Sequence, residues 1–253
     1  MDSKKLLFQL TFLCSAIFAY FPTICYGDYY ASRATYYGSP ECKGNPTGAC
    51  GYGEYGRTVN DGQVTGVSRL YRGGAGCGAC YQVKCTVPGL CSDEGATVVV
   101  TDYGEGDRTD FILSTAAYAK LARPALADKL FAYGVVDVTF ARIPCKYNYN
   151  LQFQVVGKSK NPGYLAIVPL YQPGAYEIVA VQVWQEDCKE WRPMRRVYGA
   201  VFDLENPPYG IAITLRYQAR VYGYGDANSW VQLNAVIPSD WKVGVTYDTG
   251  IST

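Results

Sequence analysis

Gly76-Cys77-Gly78-Ala79-Cys80-Tyr81-Gln82-Val83-Lys84-Cys85 runs from a glycine-rich loop into a short β-prone segment and carries three of the chain's ten cysteines. Its Cys-x-x-Cys spacing is shared by redox and metal motifs, but no βαβ pattern surrounds it and Cys91 follows closely. Toward the N-terminus, Lys4-Lys5, the apolar run Leu6 to Phe21 and the end at Cys25-Tyr26-Gly27 read as a secretory signal peptide over residues 1–27, cleaved after Gly27. The run is interrupted by Gln9 and is shorter than the ~20 residues a helix needs to span a bilayer. No membrane span is expected, and secretion implies an oxidising compartment. Beyond the signal, Cys42, Cys50, Cys77, Cys80, Cys85, Cys91, Cys145 and Cys188 remain, an even set for which structural disulfides are the expected reading.

Composition removes several chemistries. The 253 residues include no histidine, so Ser-His-Asp and Cys-His nucleophiles, an imidazole base and a His-ligated zinc are all excluded. Catalysis would have to run on carboxylates, Lys, Tyr or thiols. With 23 basic against 22 acidic residues the chain lacks the basic excess of a nucleic-acid binder. Nothing in the pattern points to a metal or a cofactor, and the expected product is a soluble, secreted monomer.

Two halves are expected. From Asp28 to Tyr147 the chain is rich in glycine turns, with β-prone runs at 81–85, 97–101 and 135–140 that suit barrel strands. One helix is expected from Ser114, as N-cap, to Ala122, with Pro124 ending it. From 148 to 253 short alternating runs at 151–155, 178–183, 211–215 and 231–235, with turns at 161–163, 173–174 and 206–208, indicate a β-sandwich.

The chain resembles the expansins, specifically the plant expansin-like B group. The motifs are Ala34-Thr35-Tyr36-Tyr37-Gly38, Gly48-Ala49-Cys50-Gly51-Tyr52-Gly53, the cysteine stretch quoted first, Val100-Thr101-Asp102 and Arg142-Ile143-Pro144-Cys145. They continue as Asn161-Pro162-Gly163-Tyr164-Leu165-Ala166 and Val236-Ile237-Pro238-Ser239-Asp240-Trp241, so the resemblance spans the mature chain. It implies a six-stranded double-psi β-barrel similar to family 45 endoglucanases over 28–147, then an immunoglobulin-like carbohydrate-binding sandwich over 148–253. It also implies disulfides Cys50–Cys77, Cys80–Cys145 and Cys85–Cys91. Cys42 and Cys188 are then left over, and we expect them to pair with each other across the two halves.

Inverting glycoside hydrolysis needs an acid and a separate carboxylate base ~6.5 to 9.5 Å apart. The family's acid falls in a His-Phe-Asp-Leu-Ser segment, which here reads Asp110-Phe111-Ile112-Leu113-Ser114. Aligned on Phe-x-Leu-Ser, Ile112 holds the acid position, and an isoleucine cannot donate a proton. Asp110 either overlooks the groove or is a solvated loop carboxylate. Asp102 follows a buried-looking strand, and is a groove residue by the resemblance or a turn cap by its type. Thr35, Tyr36 and Tyr37 offer a hydroxyl and two flat rings to sugar, or ordinary strand packing.

In the second half the resemblance places groove aromatics at Tyr164 and Phe202, with Tyr198 close by. Trp191 and Trp241 fall at core-like positions, and Trp184 and Trp230 are unassigned. The expected function is therefore a secreted plant cell-wall protein that binds wall polysaccharide, cellulose or xyloglucan, and loosens the wall without hydrolysis. The alternatives are a pure polysaccharide-binding or defence-related module and a weak endo-β-glucanase using Asp102 and Asp110.

Overall fold

The computed structural model describes residues 29–106, 108–221 and 229–252. The expected signal peptide lies outside the described residues. Six strands, β1 (Tyr30–Tyr37), β2 (Val64–Val67), β3 (Cys80–Cys85), β4 (Ala96–Tyr103), β5 (Phe111–Ser114) and β6 (Val136–Ile143), close into a barrel in the order β1-β5-β2-β4-β3-β6. β1 and β5 pair in parallel, as do β2 and β4. The remaining neighbours are antiparallel.

Period-2 alternation decides which side chains fill the barrel. Phe111, Leu113, Val98, Val100, Tyr81 and Phe140 are buried in it. The Tyr81, Phe111 and Phe140 rings meet edge to face with centroids 4.9 to 5.8 Å apart, an arrangement the ring quadrupoles favour. Ile112, between Phe111 and Leu113 on β5, and Asp102, beyond the bulge that shifts the β4 register after Val100, are only half-buried and belong to the outer surface.

The expected helix is present but shorter, over Thr115–Lys120. The Ser114 hydroxyl caps it by accepting from the Ala117 N–H at 3.2 Å, and itself donates to the Gly62 carbonyl at 2.7 Å. The helix stops before Pro124, which has no N–H to give the Lys120 carbonyl, and the Leu121 carbonyl just past its end is taken by the Ser92 N–H at 2.7 Å. That contact lies beside the Cys85–Cys91 disulfide.

The second half is a sandwich. One sheet has the order β10 (Glu190–Pro193), β9 (Tyr176–Gln185), β13 (Ile213–Val221), β14 (Ser229–Ile237). The other runs β11 (Arg195–Tyr198), β12 (Val201–Glu205), β8 (Tyr164–Leu170), β7 (Asn150–Val155), β15 (Thr246–Ser252). β8 reads Tyr-Leu-Ala-Ile-Val-Pro-Leu, a continuous apolar run, and it is buried on both faces. Leu165 and Ile167 enter the sandwich core, whereas Ala166, Val168 and Leu170 join the apolar cluster of the barrel. Ala200 and Val201 join that cluster too, so the two halves share one packed seam.

Polar contacts tighten the seam. Gln172 Nε2 donates to Tyr52 Oη at 2.8 Å, and the Tyr171 N–H donates to Tyr55 Oη at 3.0 Å. Glu177, 3% exposed, takes Arg72 and Arg142 from the barrel and Arg220 from its own sheet. Cys50–Cys77 and Cys80–Cys145 close loops of 27 and 65 residues around the same region. On chain-entropy grounds each is worth ~3 to 4 kcal/mol.

The expected Cys42–Cys188 bridge is not formed. Both thiols are free and exposed. Cys42 ends a tight turn after β1 (Pro40–Cys42), while Cys188 sits in the β9–β10 hairpin turn. The cleft beside Cys188 is lined by sandwich residues such as Arg192, Asn206 and Tyr209, with the barrel outside its reach.

Candidate functional site

Strand register assembles the site. Thr35 on β1 pairs with Ile112 on β5, Ile112 with Gly66 on β2, and Gly66 with Asp102 on β4. Directly paired residues point to the same face, so Thr35, Ile112, Gly66 and Asp102 form one row across four strands on the outside of the barrel. Neighbouring strands lie ~4.8 Å apart, which puts the Ile112 and Asp102 backbones ~10 Å from each other, with a glycine and no side chain between. Carboxyl side chains reaching toward each other from two such positions could span the ~6.5 to 9.5 Å of an inverting pair, which backbone spacing alone does not set. Ile112 supplies a methylene wall instead, packed so closely on Gly104 that a Cβ there would meet its Cδ1 at 2.5 Å.

Asp102 is anchored by backbone. Its Oδ1 accepts from the Ala49 N–H at 2.6 Å and from the Tyr103 N–H at 2.8 Å, and its Oδ2 accepts from Asn45 Nδ2 at 3.4 Å. It thus holds the 45–49 loop, as a turn-capping aspartate does, while standing in the outer row. Gly48 in that loop can be nothing larger, since a Cβ would come within 2.7 Å of the Thr101 carbonyl.

Tyr37 lies one pleat along β1 from Thr35. Among the described residues its buried phenol oxygen has no hydrogen-bond partner. Burial, and then the nearby Asp102 carboxylate, push this phenol up to about 12. This neutral O–H near the Asp102 carboxylate is thus an unsatisfied buried donor. Tyr71 and Tyr103, which sequence reasoning missed, pair at 5.1 Å on the flank, and Tyr71 Oη donates to the Ala49 carbonyl at 3.1 Å. Only the spacing of Tyr103 immediately after Asp102 could have drawn attention to it.

Gly48 also opens onto a cleft of about 420 Å³ between barrel and sandwich, lined by Gly51, Tyr52, Tyr55, Val155 and Tyr198. Tyr198 is half exposed and leans on Gly51, where a Cβ would meet the Tyr198 ring at 2.7 Å. Tyr164 is half-buried on the same sheet face. Its Oη donates to Asp203 Oδ2 at 2.7 Å, a bond that pushes its own phenol up. Arg195 closes the group with two bonds to Asp203, at 2.7 and 3.1 Å.

Three expected site residues stand elsewhere, and a fourth, Thr35, is in place with its hydroxyl already engaged. Phe202 is 1% exposed: β12 alternation turns it into the sandwich core, under the Arg196 guanidinium at 4.4 Å, so it is not a groove aromatic. Tyr36 is half-buried and turned to the helices that follow β5, packed on Tyr118 and Phe131 at 4.7 and 4.8 Å, so its ring lies outside the row. The Thr35 hydroxyl is in the row but already donates to the Gly134 carbonyl at 2.8 Å. Asp110 is 6% exposed and is neither solvated nor in the row. It accepts from Ser32 Oγ at 2.5 Å, Ser68 Oγ at 3.3 Å and Arg69 Nε at 2.7 Å, and it borders a separate cleft with Arg33 and Arg108.

Comparison with known proteins agrees with this architecture. Residues 151–238 match the family described as Expansin C-terminal domain, and residues 63–140 match one described as Lytic transglycolase, which spans β2 to β6. Expansin-like B1 of Arabidopsis thaliana is 58% identical over 233 residues, covering 91% of this chain and 92% of its own. Expansin-like B1 of Oryza sativa subsp. japonica is 39% identical, covering 88% of each chain. Among solved structures, an expansin of Clavibacter michiganensis superposes with a TM-score of 0.66 at 19% identity, over 89% of this chain and 98% of that one. A mutant of that expansin in complex with cellohexaose gives 0.67 at 18% identity with the same coverage, and at this identity the likeness speaks for the fold alone. With the barrel, the sandwich and the relatives in agreement, the chain belongs to the expansin family, in its expansin-like B group.

Proposed function

We propose that this protein is a secreted cell-wall protein, with residues 28–147 as the barrel half and 148–253 as the sandwich half, which holds neutral wall polysaccharide along the Thr35–Ile112–Gly66–Asp102 row and loosens the wall without cutting it. The observation that carries this reading is the isoleucine two strands from Asp102, where hydrolysis would need a second carboxyl. A glucan lying across the row meets a flat floor at Gly66, a donor at Tyr37 and a carboxylate at Asp102, and reaches Tyr198 past Gly48. The cellohexaose complex of the bacterial expansin is consistent with such a ligand.

Loosening needs no chemistry. A groove that binds a separated chain better than a packed one shifts the equilibrium toward separation by its difference in affinity. The endoglucanase reading with Asp102 and Asp110 loses its second group, because the Asp110 oxygens are occupied by Ser32, Ser68 and Arg69. The test is wall creep under constant load with purified protein, run beside a reducing-end assay. Extension above buffer without new reducing ends is expected. Binding without creep would reduce the protein to a polysaccharide-binding module, and new reducing ends would make it a hydrolase.

A further inference from the structure

Three of the chain's four tryptophans stand half-buried on one solvent face, whereas the fourth, Trp241, is 3% exposed in the core. The face is the outer side of the sheet β10-β9-β13-β14. Val181, Val183, Leu215, Tyr217, Val231 and Leu233 point into the sandwich core, so their neighbours Gln182, Trp184, Arg216, Gln218, Trp230 and Gln232 point out. Trp191 on β10 pairs directly with Trp184 on β9, and their rings meet edge to face at 5.4 Å. Trp191, which its sequence position placed in the core, is thus on the outer side.

Arg216 organises the face. Its guanidinium lies 4.4 Å from the Trp191 ring and 4.5 Å from the Trp230 ring, and it donates twice to Gln182 Oε1, at 2.9 and 2.7 Å. Trp184 is fixed in turn, its indole N–H donating to Glu186 Oε2 at 2.7 Å. The indoles are therefore held in place before any ligand arrives, which lowers the ordering cost of binding.

We infer that this face is a second polysaccharide-binding surface, on the sheet that does not pack its outer side on the barrel, and that its ligand is a neutral β-linked glucan chain. The chemistry selects that class. Indoles stack on the apolar C–H faces of sugar rings, and the Gln182, Gln218 and Gln232 amides pair with hydroxyls as donors and acceptors. The outward positions of β9, β13 and β14 named above carry no carboxylate, and their single cation is engaged by two rings and an amide. The surface is thus matched to an uncharged, hydroxyl-rich polymer. A protein with such a face and a separate groove contacts two chains at once, which raises its effective affinity for a bundled polymer.

The barrel row and its cleft carry tyrosines but no tryptophan, and Trp241 is buried in the core, so a ligand-induced change in tryptophan emission reports on the sandwich face over a constant Trp241 background. The full mature protein, and an Asp102→Asn variant that perturbs the row, are titrated with cellohexaose and with suspended cellulose. Emission should shift to the blue and become shielded from acrylamide in both proteins. The double variant Trp184→Ala/Trp230→Ala, checked for an unchanged near-ultraviolet tyrosine signature, should lose about tenfold in cellulose retention. Unchanged tryptophan emission in wild type at saturating cellulose would overturn the inference even if the groove binds, and so would an equal shift with polygalacturonate. Failure of the groove reading would show instead as wild-type retention in the Asp102→Asn variant.

Discussion

Ile112 and Asp102 face outward from the same row of the barrel, two strands apart, with only Gly66 between them. Asp102 therefore has no second carboxyl across Gly66, and the isoleucine that stands there has no proton to give. The surviving carboxylate has been put to structural use, tying the 45–49 loop to the strand end through two backbone N–H groups.

That use is measurable. Asp102→Ala leaves the Ala49 and Tyr103 N–H groups without their acceptor and should cost about 1 to 3 kcal/mol in denaturant unfolding. Amide exchange at Ala49 should accelerate while the β5 amides stay protected. Asp102→Asn, which keeps one oxygen for both donors, should cost less than half as much.

Tyr37→Phe removes an unpartnered buried hydroxyl, so stability at neutral pH should hold or rise slightly. Polysaccharide retention should fall about fivefold, the equivalent of one hydrogen bond of about 1 kcal/mol. The pH response has a definite sign. Because the folded phenol is raised to about 12, its contribution to stability is complete below the unfolded value of ~10 and is lost as pH climbs from there toward 12. Wild type should therefore lose more stability than Tyr37→Phe across that window, as followed by alkaline denaturation.

Glu177→Ala should separate the two halves energetically. Arg142, 8% exposed at its side chain, would remain buried against the Tyr81 ring at 5.2 Å with its carboxylate gone. A loss of about 3 to 5 kcal/mol is expected. Calorimetry should then resolve separate barrel and sandwich transitions, against a single transition expected for wild type.

Gly199→Ala probes the seam sterically. Gly199 has a φ of 48°, and a Cβ there would come within 2.3 Å of the Ala49 carbonyl. Facing it, Gly74 approaches so closely that its own Cβ would strike the Gly199 carbonyl. The alanine variant should lower the unfolding midpoint and expose Tyr198 to faster chemical iodination, since the loop that seats its ring must move away.

Much of this was legible in the sequence, for reasons that can be named. The cysteine order and the expansin motifs imply three disulfides that the structure contains. The β-prone runs in β3, β4 and β6 mark barrel strands because their β-branched and aromatic side chains fill the barrel core. The register of β2 was not legible. Gly66 has no side chain to advertise its face, and only long-range pairing with β4 and β5 places it between Asp102 and Ile112. Phe202 was misplaced because an aromatic in a motif says nothing of which side of the strand it occupies. A single-residue shift in register moves such a ring from solvent to core. Asp110 was misread because its partners Ser32 and Ser68 lie far from it along the chain, and no local pattern reveals them.

The most direct test is to incubate the purified protein with cellohexaose and follow, in one sample, both the bound fraction by equilibrium dialysis and the oligomer length by chromatography. The hexamer should be retained and recovered intact at every protein concentration, with retention reduced in Tyr37→Phe. Shorter oligomers that increase with protein concentration and vanish in Asp102→Asn would contradict the account, because the row would then contain a working acid and base.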